Sequence, residues 1–477
     1  MSDGRCHLIG ILVGPCVALF VAVAPSAAAE APAEDSQASA IAYGGATAHD
    51  PHFDDAALWG DCDVKRAAYV RETWPKGRLY VWAHPGKSGG KRFRGALKAV
   101  APANWLLDGK PADELVLDEH TDLLFPASET PYRVGFRGTD VLEICRHVTI
   151  ESGAGFVGGG DGRGRQIYGN VWVKAGGTMY AQGATKFVGT RHTFFRNDNV
   201  APDAEDGERN GRHRCSQYFT FDKGGVGSVE FLGHVTVSDE FRLHRCRVIV
   251  GPDSILQPGR HASPTIYEGG TLALLDGAYF GKWCNDFGIP DMTVEGGTIQ
   301  GGLADRPLAR DCRFGLAFKN FTSATWEGLN EEEHRESRRV PSLLVKDGGT
   351  LRSIPAGGSE ARLVFTVAPD GVGDRSAFDL RPVPGSEREA KVLKRHPDAA
   401  ERFAWFDTLP RGLDVFLGKG VVVDRVRFDH LRKGGVLCPD PAALRAAWTD
   451  VTFGPNCAAP GDGLFTQVDG VDRNGRY

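Results

Sequence analysis

The sequence predicts an all-β fold: a stack of similar coils in the middle of the chain, an N-terminal β cap before it and a C-terminal cap with a short helical insertion after it. Three observations predict this. A short phrase recurs, as Val173-Lys174-Ala175-Gly176-Gly177-Thr178-Met179, Ile266-Tyr267-Glu268-Gly269-Gly270-Thr271-Leu272, Val294-Glu295-Gly296-Gly297-Thr298-Ile299 and Val345-Lys346-Asp347-Gly348-Gly349-Thr350-Leu351. Between its copies lie stretches of alternating polarity, such as 228–232 (SVEFL) and 234–237 (HVTV), which is the pattern of half-buried strands. Composition agrees, with 62 glycines and 27 prolines in 477 residues and only 3 methionines.

The chain is read in order as follows. Residues 8–25 are almost continuously apolar and are followed by Ala27, Ala28, Ala29 and Glu30, the order of a secretory signal peptide ending at 29. The protein is therefore expected to be secreted, extracellular or periplasmic, with no membrane span after signal removal. Residues 30–40 are acidic and rich in Ala and Pro, a disordered leader. Residues 41–139 form the N-terminal β cap, 140–355 the coils and 356–477 the final coils and cap, with the helical insertion at about 384–406. Ten cysteines, less Cys6 and Cys16 in the signal peptide, leave eight, an even number that permits disulfides in an exported protein. Cys438 with Cys457 is the first expected pair, because it closes a short loop; free buried thiols are the alternative.

The phrase has a physical logic. An apolar residue ends one strand inward, glycines make the corner, and Thr followed by an apolar residue opens the next strand. The second glycine of the phrase recurs after 27 residues from Gly270 to Gly297 and after 52 from Gly297 to Gly349, which reads as one coil and then two. From Gly177 to Gly270 there is room for four coils. Residues 140–355 thus resemble the right-handed parallel β-helix, the pectate-lyase-like superfamily, through the repeated VxxGGTL corner. Upstream, Trp82-Ala83-His84-Pro85-Gly86, then Asn104-Trp105-Leu106-Leu107-Asp108-Gly109 and Leu117-Asp118, are similar to a G8-type β module. The resemblance is one of architecture and carries no catalytic signature.

A net charge of −5 and a pI near 6.3 exclude a strongly basic, nucleic-acid-binding surface. Stacked coils present flat or grooved outer faces suited to an extended polymer, so outward polar side chains are the candidates. In 191–210, period 2 places His192, Phe194, Arg196 and Asp198 on one face. Asp203, Glu205 and Asp206 follow, and with Asp198 they could hold a Ca²⁺ ion; a solvated turn is the alternative. In 239–247, Arg242 and His244 face outward while Phe241 and Leu243 suit the core. His192 and His244 are 52 residues apart, two coils by the same period, so they could border one site. Lys282, Trp283 and Asp286 form a third group, with Trp283 able to stack on a sugar ring.

Three functions are expected from these residues. The first is a polysaccharide lyase on a uronic-acid polymer, with Arg196 or Arg242 neutralising the carboxylate and His192 or His244 taking the proton. The second is a non-catalytic adhesive or structural protein. A glycoside hydrolase on the same scaffold is the third. The test between them is whether His192, Arg196, Arg242 and His244 converge.

Overall fold

A computed structural model describes residues 77–89, 97–136, 142–158, 164–181, 184–199, 214–258, 264–281, 290–316, 340–367, 385–395, 397–398, 400–401, 412–458, 463–473 and 475–477. The expected signal peptide (1–29) and leader (30–40) lie outside these residues.

The protein is all-β, built from long parallel ladders with few helices. From Thr121 onward the strands fall into three ladders that the chain visits in turn. Arg247–Val250, Ile255–Pro258 and Thr265–Tyr267 are one such round. Thr271–Leu274, Tyr279–Gly281 and Met292–Glu295 are the next, and each strand pairs in parallel with its counterpart one round earlier. The single strand Ser228–Leu243 runs through all three ladders in one round. Parallel pairing requires such crossovers, because a tight hairpin can only join antiparallel strands.

Alternation sends one side chain in and the next out, and the inward residues form columns. In the second ladder Phe280, Phe314, Phe365, Phe428 and Phe453 stand in register. The ring centroids of the first four are 4.9, 5.4 and 5.2 Å apart in succession. Such contacts add about 0.5–1.5 kcal/mol each beyond area burial. In the third ladder one inward column changes character along the stack, from Glu143 and Arg165 through Thr185 to Phe219 and Phe241. Arg165 Nε donates to Glu143 Oε2 over 2.8 Å, and its guanidinium lies over the Phe156 ring. A buried cation is tolerable here because it meets both a carboxylate and an aromatic face.

The ladders reach beyond 140–355 at both ends. Thr121–Phe125 already pairs with Val148–Ile150, and Phe465–Gln467 still pairs with Leu431–Cys438. Before Thr121, Arg78–Trp82 adds one parallel strand and is itself covered by the antiparallel Trp105–Leu107 and Lys110–Pro111. Trp82 and Trp105 meet edge to face at 5.2 Å, both fully buried, which seals that end. An exposed parallel edge would otherwise invite pairing with another chain.

Two expectations from spacing are corrected. The 52-residue interval between Gly297 and Gly349 is one round, since Gln300 pairs directly with Arg352. It is long because the crossovers on either side of Cys312–Leu316 are extended. The phrase also marks two different corners: the Gly177 copy joins the first ladder to the second, whereas the other three join the third to the first. Gly176, Gly269, Gly296 and Gly348 all have φ between 74° and 81°, so both corners need the same left-handed residue.

The expected Cys438–Cys457 bond is absent. Cys438 ends a third-ladder strand paired to Gln467, while the Cys457 thiol donates to the Phe428 carbonyl oxygen beside the second ladder. Cys145, Cys246 and Cys312 are also free thiols, buried in the core. The helical insertion is present as Glu387–Arg395. Ser386 Oγ accepts from the Glu389 amide and the Glu389 carboxylate accepts from Gly385, a reciprocal cap on the first turn. A further helix among the described residues, Pro441–Ala447, falls where no helix is expected from the sequence; Asp440 caps it by accepting from Ala442 and Ala443. No described helix is long and apolar enough to cross a membrane.

Candidate functional site

The outer face of the first ladder carries the site. Two outward rows follow from the register. One passes through His192, Ser228, Arg247, Thr271, Thr298 and Thr350; the other through Phe194, Glu230, Ile249, Ala273, Gln300 and Arg352. The segment 302–308 leaves the strand Thr298–Gly301 and folds back over the second row. Gly302, at φ 75°, turns it, and the Leu303 and Arg306 backbones bond each other at 2.9 and 3.1 Å. Leu303 then packs with Ile249, Ala273 and Leu275 in a small buried apolar cluster on the outside of the ladder. Leu308 N donates to the Ile354 carbonyl oxygen, tying the segment to the next round.

Beside this segment is a cleft of about 140 Å³ lined by Arg247, Thr271, Gln300, Leu303, Ala304, Asp305, Arg352 and Ile354. Arg352 donates through Nε and Nη2 to Gln300 Oε1 at 3.0 and 2.8 Å, and Gln300 Nε2 donates to the Gly302 carbonyl oxygen at 3.0 Å. Those bonds fix the Arg352 fork without neutralising it. Arg247 is exposed. Among the described residues neither guanidinium enters an ion pair. The volume suits one functional group of a larger molecule rather than a whole ligand, for which about 300 Å³ or more is usual.

The nominated residues separate into three settings. His192 is buried: its Nδ1 lies 2.6 Å from Ser228 Oγ, its Nε2 lies 3.7 Å from Glu230 Oε2, and its ring meets Phe194 edge on. Arg196 faces outward as expected, but its Nε donates to Asp198 Oδ1 at 2.6 Å. Asp198 also accepts from the Trp172 indole over 2.6 Å, so both of its oxygens are engaged by protein donors. Arg242 and His244 stand at the end of the third ladder and in the corner after it; Arg242 is exposed and His244 stacks flat on Tyr267 at 4.4 Å. Phe241 and Leu243 are fully buried, as their alternation requires.

The row that starts at His192 does not lead to His244. It leads through Ser228, 36 residues on, to Arg247, a further 19 on (247 − 228). Two rounds do separate them, but the rounds are unequal, and the shift of three residues moves His244 off the ladder. Lys282, Trp283, Asp286, Asp203, Glu205 and Asp206 lie outside the described residues. Among the described residues no group of three or more His, Cys, Asp or Glu side chains is placed to hold a metal ion.

Comparison with known proteins finds no matching family model, no matching curated protein and no matching solved structure.

Arg247, Gln300, Asp305 and Arg352 were not among the nominated residues. A signal for two of them was present. Aligning the phrase on its threonine puts Ala273, Gln300 and Arg352 at the same step, two residues on and therefore outward. Arg247 closes the segment from which Arg242 and His244 were taken. Asp305 lies in a crossover, where periodicity offers no guide.

Proposed function

We propose that the protein is a secreted right-handed parallel β-helix of the pectate-lyase-like type that binds an acidic polysaccharide on the outer face of its first ladder. The cleft with Arg247 and Arg352 carries the reading: two cationic forks, neither spent on an ion pair among the described residues, line one small space with Thr271, Gln300 and Asp305. Guanidinium matches a carboxylate in planar, bidentate geometry, and the threonine row beside it offers hydroxyls to sugar oxygens. The three-strand round supports the fold assignment, and right-handedness follows from the strong preference of parallel crossovers.

Binding is favoured over cleavage. β-Elimination needs a cation and a base at one carbon atom. His192 is held between Ser228 and Glu230, Arg196 is paired with Asp198, and Arg242 and His244 stand at the end of the third ladder and in the corner after it. That separation leaves the lyase without its assembled pair from these four residues.

The test is calorimetric titration of the mature protein with polygalacturonate, alginate and neutral dextran, with ultraviolet absorbance followed for an unsaturated product. Binding to an acidic polymer that weakens with salt, with no absorbance change, is expected. Equal binding of dextran, or no binding of either acidic polymer, overturns the proposal. A rising absorbance would restore the lyase.

A further inference from the structure

We infer that the segment 302–308 is a strap whose seating, fixed by the Glu230–Arg306 ion pair, sets the shape of the cleft. The inference rests on the binding reading for its functional consequence. Arg306 Nη1 donates to Glu230 Oε2 over 2.8 Å, and the two residues are 76 apart in sequence. Glu230 is fully buried and Arg306 is 7 % exposed. Along the outward row, Glu230 lies three strands before Gln300, where the strap begins. At the usual strand spacing that is a reach of about 14 Å. Nothing local in 302–308 specifies such a reach. The turn between Leu303 and Arg306 gives the strap its shape, and Leu303 gives it an apolar footing. Leu303 on Ile249 and Leu308 N on the Ile354 carbonyl oxygen anchor its two ends. The buried ion pair then sets where its middle comes to rest, because burying either charge without a counter-charge is costly.

The cleft depends on that seating. Leu303, Ala304 and Asp305 form one wall, and the Gly302 carbonyl oxygen holds Gln300, which in turn orients Arg352. Glu230 and Arg306 touch none of the cleft's open space, so they act as positioning residues.

The experiment uses the whole chain with Glu230→Gln, and with the double variant Glu230→Gln/Arg306→Met, which removes both charges of the pair. Three quantities are measured: the thermal midpoint, amide hydrogen exchange across 300–310, and affinity for polygalacturonate. In the double variant the midpoint should stay near that of the wild type. Exchange at Leu303, Arg306 and Leu308 should accelerate about tenfold or more while the core strands keep their protection, and affinity should fall about tenfold. Unchanged exchange at these amides overturns the latch. Accelerated exchange with unchanged affinity overturns its control of the cleft. If the single variant unfolds, the double variant alone decides. Failure of the wild type to bind polygalacturonate sinks the binding reading instead, and the exchange result then decides the latch by itself.

Discussion

The indole N–H of Trp172 donates to Asp198 Oδ2 over 2.6 Å, one round of the ladder away. Arg196 takes the other oxygen of the same carboxylate and lies near the Trp172 ring, with Lys174 on it at 4.6 Å. Asp198 is thus the centre of a surface clasp between two rounds. Asp198→Asn should lower stability by about 1 kcal/mol, since a charge-assisted bond is lost but the site is partly solvated. Urea denaturation measures this. Calcium titration of wild type and variant should give the same result; a calcium affinity lost on substitution would make Asp198 a ligand.

Arg247→Ala and Arg352→Ala should each weaken acidic-polymer binding by about tenfold, which corresponds to about 1.4 kcal/mol for one charge-assisted contact. Arg352→Ala should be the more harmful, because Gln300 then loses the partner that it holds in place. Titration calorimetry at two salt concentrations checks both, and each variant should show a shallower salt dependence. An effect confined to Arg242→Ala would move the binding face to the third ladder.

The aromatic column of the second ladder gives a stability prediction. Phe365 is fully buried between Phe314 and Phe428. Phe365→Ala should cost about 3–5 kcal/mol, and Phe365→Leu, which refills most of the space, about 1.5 kcal/mol. Chemical denaturation compares them. Equal costs would mean that the column contributes no more than volume.

Burial pushes the thiols of Cys145 and Cys246 up to about 12, from an ordinary 9.0. The folded protein therefore keeps protons that the unfolded chain gives up above pH 9, and stability falls as pH rises through that window. By pH 10.5 the loss is about 2 kcal/mol per thiol. The thermal midpoint should fall between pH 8 and pH 10.5, and Cys145→Ala/Cys246→Ala should show less of that fall. The same thiols should react with a disulfide reagent only after unfolding. Prompt reaction of the native protein would contradict their burial.

Much of this architecture was legible in the sequence because strands and corners are local. Alternation from His192 to Asn197 placed His192, Phe194 and Arg196 outward correctly, and the Gly-Gly-Thr phrase found the corners. What period counting lost was register. The rounds through Ser228 and Arg247 are unequal, so equal spacing misassigned His244. The cleft was hidden for a related reason: its walls come from strands that only the ladder brings together, and from a crossover with no periodicity. Nor could spacing reveal that Glu230 meets Arg306, since the contact depends on where a strap lands and not on any repeat. The helix Pro441–Ala447 is short, and its Asp440-Pro441 start lies in the stretch read as the loop between Cys438 and Cys457.

The length of a round is free, and its rise is fixed. Gln300 and Arg352 are adjacent although 52 residues separate them, and Asp347 bonds Lys419 across 72. Each round still adds one strand spacing to the stack. The longest intervals, 317–342 and 368–412, fall between strands of the second and third ladders, while the passages from third to first are short except the last, which holds the helix Pro441–Ala447. The step from the second ladder to the third therefore tolerates added sequence. A guest domain spliced between Val367 and Leu413 should be carried as cargo without disturbing the ladder that holds Arg247 and Arg352.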